Sequence, residues 1–145
     1  MAIVLHFNRL DEWPDLRDQE ARLRRAARAA LRSRGREEGE VSYTFVTVDE
    51  IRALNREYLG RDLPTDVIAF DLGDGPSLLG DVYLSPEVAA ENAAVHGEEE
   101  VREMLRLVVH GSLHVTGMEH PEGENRMSGP MFVLQEELLR SLAEG

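Results

Sequence analysis

The chain has 145 residues, no cysteine, 42% hydrophobic residues and a formal net charge of −12. A chain of this length can bury enough apolar surface to fold as one domain, and the lack of cysteine excludes disulfides and thiolate metal sites. The acidic balance argues against wholesale nucleic-acid wrapping, because each phosphate contact needs a local cation.

No stretch approaches the roughly 20 apolar residues of a membrane span, and the run Met1 to Phe7 lacks the basic region of a secretory signal. These features predict a cytoplasmic protein with no membrane partner. Residues 2 to 8 alternate, with Ile3, Val4 and Phe7, and predict a first strand that ends at the break Asp11-Glu12-Trp13-Pro14. From Leu16 to Ser33 the positions Leu16, Leu23, Ala26, Ala27, Ala30 and Leu31 recur at helical spacing, with arginines between them and Asp15 as the expected cap. One face of that helix is core; the other is cationic, and a phosphate-binding role competes there with simple solvation.

Residues 41 to 48 are dense in β-branched and aromatic side chains and predict the second strand. A helix from Asp49 carries Ile51, Leu54 and Tyr58 and ends at Gly60, and Arg61 to Asp66 must be loop because of Pro64. Residues 67 to 70 and 78 to 84 read as a hairpin around Gly73-Asp74-Gly75-Pro76. Ser85 and Pro86 open a helix that runs to about Gly97. Residues 98 to 115 form the longest apolar-periodic segment, and a last helix covers roughly 129 to 142. The expected fold is α+β: a single metal-binding hydrolase domain over residues 1 to 145, with a small mixed four-stranded sheet covered by about five helices.

The run His110-Gly111-Ser112-Leu113-His114-Val115-Thr116-Gly117-Met118-Glu119-His120 carries the chemistry. Two histidines four residues apart lie one above the other on a helix face and can share an ion. Gly117 can take the left-handed conformation that ends the helix and returns His120 to the same point. Three neutral imidazoles with one open position match a catalytic zinc site, where bound water ionises near pH 7. The spacing equals that of the metzincin proteases, but Gly111 stands where their glutamate base would be. A mid-helix glycine is costly, so room for substrate or backbone beside the ion is the expected reason for it. Glu119 is a candidate to orient an imidazole or transfer a proton. His6 and His96 lack such company, and Thr65, Asp66, Gly80 and Asp81 read by themselves as turn or capping residues.

Three further segments, Leu54-Asn55-Arg56-Glu57-Tyr58, Asp62 to Phe70 and Leu79-Gly80-Asp81-Val82, join the histidine motif in a pattern that resembles the bacterial YbeY endoribonuclease, or ribosomal RNA maturation factor, family. The resemblance covers about the last two thirds of the chain. It implies an α+β fold with a zincin-like helix carrying metal ligands, one zinc ion on His110, His114 and His120, and single-strand ribonuclease activity in maturation of the small-subunit rRNA 3′ end and in ribosome quality control. It also implies single-stranded or ribosomal RNA as partner, with ribosomal proteins or an assembly GTPase as further partners and no DNA. The chain departs from the family at Glu119 (usually Asp), Ala69 (usually Ser), Met118 (often Tyr) and Leu59 (commonly Arg). Arg61, two residues beyond Leu59, is the candidate to supply the missing cation. The expected catalytic set is therefore His114, Arg61 and Glu119. Two rival readings stay open: a metal-dependent peptidase, and a ribosome-associated assembly factor whose metal is structural.

Overall fold

The computed structural model describes residues 3–73, 75–118 and 129–144, without the side chains of 143 and 144. Its strands are β1 (Ile3–Asn8), β2 (Gly39–Phe45), β3 (Val67–Asp71) and β4 (Leu78–Leu84). Its helices are α1 (Pro14–Arg17), α2 (Glu20–Ser33), α3 (Val48–Leu59), α4 (Pro86–His96), α5 (Glu100–Val115) and α6 (Pro130–Glu144), with a 3-10 turn at Leu10–Glu12. The sheet order is β1-β2-β4-β3, with β1, β2 and β4 parallel and β3 antiparallel on the edge beside β4. The expected mixed sheet of four strands is present. Among the described residues no helix is long and apolar enough to cross a membrane.

Among the described residues there are six helices rather than five because the expected helix over 16 to 33 is two. Leu16 is buried in α1 and Leu23 in α2, but the residues between them offer no large apolar side chain, and the backbone leaves helical geometry at Gln19. Asp15 lies in the first turn of α1 and makes no side-chain cap. The strand expected to reach Val48 stops at Phe45. Thr47 accepts from the Glu50 amide while the Glu50 carboxylate accepts from the Thr47 amide, a reciprocal cap that starts α3.

Side-chain alternation divides the sheet into two faces. Val41, Tyr43 and Phe45 of β2 and Leu78, Val82 and Leu84 of β4 are buried on one face, beneath α2 and α5. On the other face, α3 lays Ile51 against Val46 and Ile68, with Phe70 and Tyr83 packed alongside. Part of the cationic face of α2 has structural partners: Arg24 and Arg28 donate to the carbonyls of Leu5 and Ile3, satisfying the edge strand β1.

Helix α5 approaches the sheet unusually closely. A Cβ on Gly80 of β4 would lie 2.2 Å from Val115 Cγ1, and one on Gly111 would lie 2.6 Å from Val82 Cγ1. The two glycines therefore face each other's elements across the interface. Gly80 is no turn residue, and Gly111 serves contact between helix and sheet rather than space beside an ion, which corrects both sequence expectations.

Candidate active site

Helix α5 presents His110 and His114 on the flank that faces β3 and α6. Their Nε2 atoms are 3.1 Å apart, with the rings edge to face at 77°. The other nitrogen of His110, Nδ1, lies 2.6 Å from Oε1 of Gln135 on α6. Two nitrogens bound to one tetrahedral zinc at about 2.0–2.1 Å would stand about 3.3 Å apart, so the observed separation fits a shared ion. Gly117 has φ +100°, and the amides of Gly117 and Met118 bond back to His114 and Leu113, ending the helix as the sequence suggested. The third expected ligand, His120, and the candidate Glu119 lie outside the described residues. Among the described residues no three His, Asp or Glu side chains converge as a metal site.

The histidine pair borders a cavity of about 280 Å³ whose wall includes Arg61, Thr65, Asp66 and Ala69. Arg61 thus reaches the same cavity as the histidines, although the family's usual arginine position, Leu59, is also on its wall. Four hydrogen bonds hold this wall. Buried Asn55 donates from Nδ2 to the Leu63 carbonyl at 2.9 Å, and its own carbonyl accepts from the Arg61 amide at 3.3 Å. The Asp66 carboxylate accepts from Asn92 of α4 at 3.2 Å, and the Asp66 carbonyl accepts from the Ser85 amide. Gly60, at φ +71°, turns the chain from α3 into this loop. The motif residues Asn55 and Asp66 therefore act as fasteners, and Arg61 is left with its guanidinium in no ion pair among the described residues.

On the other side of His110 lies a second cavity of about 440 Å³ that shares Asp66, Val67 and His110 with the first. Its character is acidic. Arg106 stands in it, paired with Glu98 at 2.5 Å, Glu103 at 2.6 Å and Glu136 at 3.1 Å. The guanidinium holds the Glu98 carboxyl below the usual carboxylate range. His96, an isolated residue by sequence, is also on this wall. Every described side chain lining either cavity comes from residue 55 or later.

Beneath the site, the Tyr43 hydroxyl bonds Ser112, which donates to the Val108 carbonyl at 2.7 Å, and burial pushes the Tyr43 hydroxyl pKa up. Sequence reasoning missed Gln135. Its signal was a polar residue at a core position, since Met131, Gln135 and Leu139 recur every four residues on the buried face of α6.

The family model described as Endoribonuclease YbeY matches residues 9–143. The chain belongs to the YbeY family. The Endoribonuclease YbeY of Geobacillus kaustophilus is 38% identical across 94% of this chain and 96% of its own length. That of Lysinibacillus sphaericus is 42% identical across 74% of this chain and 75% of its own. A solution structure from Thermotoga maritima matches with TM-score 0.64 and 26% identity, covering 97% of this chain and 90% of that one. YbeY proteins are nucleases acting on RNA phosphodiester bonds, which sets aside the peptidase reading. Geometry agrees with this: at Gly111, where a metzincin carries its base, even a Cβ would lie 2.6 Å from Val82 Cγ1, so the position has no room for a glutamate side chain.

Proposed function

We propose that this chain is a zinc-dependent, single-strand-specific endoribonuclease acting in maturation of the small-subunit rRNA 3′ end and in ribosome quality control, in the cytoplasm. His110, His114 and His120 hold its one zinc ion. The observation that carries the reading is the pair of imidazole nitrogens 3.1 Å apart beside a cavity containing Arg61, in a chain of the YbeY family. When bound, zinc supplies polarisation of a phosphoryl oxygen and a water of lowered pKa.

The chain's own residues do the rest. Arg61 neutralises a phosphate at the cavity, and Glu119, adjacent to His120 in the sequence, orients that imidazole or moves a proton. The acidic cavity beyond His110 repels phosphate, so the RNA backbone enters from the Arg61 side. Leu59 and Leu63, on the wall of this cavity, are more than half exposed. Unpaired bases can lie on such an apolar rim, whereas paired bases are already stacked. With a net charge of −12, long-range attraction is weak, which favours a ribosomal protein or an assembly GTPase as an aid to docking.

The test is incubation of zinc-loaded protein with single-stranded RNA, its duplex form, and a His114→Ala control. Cleavage of the single strand alone, abolished by chelator and by the substitution, is expected. Equal cleavage by the control would refute the site. A protein that melts early without zinc, yet cleaves no RNA with it, would establish the structural-metal alternative instead.

A further inference from the structure

Gln135 is a buried amide on α6, and a buried amide must place both its ends. Its amide nitrogen, Nε2, lies 3.1 Å from Glu136 Oε2, an atom that also accepts from Arg106 Nε at 3.1 Å. A carboxylate only accepts, so the Gln135 NH2 must face Glu136 and its carbonyl must face His110. That carbonyl is 2.6 Å from His110 Nδ1, which must then carry the proton and donate it. The proton being on Nδ1, the lone pair is on Nε2, aimed at the point where His114 Nε2 also arrives. Arg106 anchors the series from α5, one turn before His110, and is itself fixed by Glu98 and Glu103.

We infer that the chain of bonds from Arg106 through Glu136 and Gln135 is a positioning device that sets the tautomer and ring orientation of His110 for metal binding, and so couples docking of α6 to occupancy of the site. Gln135 touches neither substrate nor metal; it acts through His110. The inference rests on the proposal that His110 and His114 are ligands. It adds a requirement on α6, because Gln135 and Glu136 lie on that helix whereas Arg106 and His110 lie on α5. Outer partners of this kind typically change metal affinity by about 10- to 100-fold.

Two measurements test it. Long-range nitrogen–proton NMR on the metal-free wild type, at a pH where imidazole is neutral, reads which His110 nitrogen bears the proton. The Nδ1–H form is expected, and a dominant Nε2–H form overturns the inference without any variant. Zinc titration against a chromogenic competitor then compares wild type with Gln135→Met, which keeps the side-chain length and removes both hydrogen-bonding ends. A loss of zinc affinity of about 10- to 100-fold is expected, with a smaller zinc-induced rise in Tm and a metal-free Tm close to wild type. Unchanged zinc affinity in the folded variant overturns it. A wild type that binds no zinc would instead defeat the proposed function, so the two failures are distinguishable.

Discussion

Substituting Gly111→Ala adds one methyl group at the contact between α5 and β4. In isolation the change favours the helix by about 1 kcal/mol, because glycine is the poorer helix former. The structure opposes it. The new Cβ would sit 2.6 Å from Val82 Cγ1 and 3.3 Å from Val67 Cγ2, against an optimal carbon separation of about 3.5–4.0 Å. Val82 is fully buried and β-branched, so it cannot swing aside cheaply, and the helix must retreat by several tenths of an ångström. Overpacking of this kind costs about 1–3 kcal/mol. A contact of 2.6 Å against a fully buried valine puts the cost in the upper part of that range, about 2–3 kcal/mol, so it exceeds the propensity gain and leaves a net loss of about 1–2 kcal/mol in urea unfolding. Because Gly111 adjoins His110, zinc affinity should fall with it. In a Val82→Ala background the obstructing methyls are gone, and the same substitution should be neutral or stabilising, a coupling of about 1–3 kcal/mol in the double-mutant cycle. A Gly111→Ala protein as stable as wild type, or a cycle with no coupling, would show that close approach to the sheet is not why glycine is there.

Asn55→Ala removes the tether to the Leu63 carbonyl and should cost about 1–3 kcal/mol in chemical unfolding, with RNA cleavage falling as the cavity wall loosens. Arg61→Ala should weaken RNA binding and reduce the slope of log affinity against log salt by about 0.7, the loss of one phosphate contact on a single strand; an unchanged slope would remove Arg61 from the site. Glu50 is held down to about 2 from 4.5 by its hydrogen bonds with Arg9. A lowered folded-state pKa stabilises above the unfolded value and loses that contribution as pH falls from about 4.5 towards 2. Glu50→Gln should therefore flatten stability against pH in that acid window while leaving its shape near neutrality unaltered.

Much of this architecture is legible in the sequence where a local signal and its tertiary use coincide. Ser85 with Pro86 and Gly97 bracket α4 as expected, because caps act within one helical turn and need no distant partner. The His110 and His114 pair is legible for the same reason: spacing on a helix fixes direction. Features set by distant partners are not legible. Gly111 and Gly80 are glycine because of Val82 and Val115, residues of another element in each case, and no periodicity announces that. Gln135 is visible only as a polar residue on an apolar stripe, and its purpose depends on His110, 25 residues earlier. The break between α1 and α2 follows from a missing apolar anchor, which a count over the whole segment averages away. The residues that complete the expected trio, His120 with Glu119, lie outside the described residues, so the motif's third arm rests on sequence alone.

Both cavities are built without any described side chain from before residue 55, and this has a practical side. Fluorophores, affinity handles or immobilisation chemistry attached near β1 would leave the residues that line both cavities undisturbed. An appendage after α6 would instead pull on the helix that holds Gln135, only nine residues before Glu144. Kinetic work on this enzyme is accordingly best done with its carboxyl end left bare.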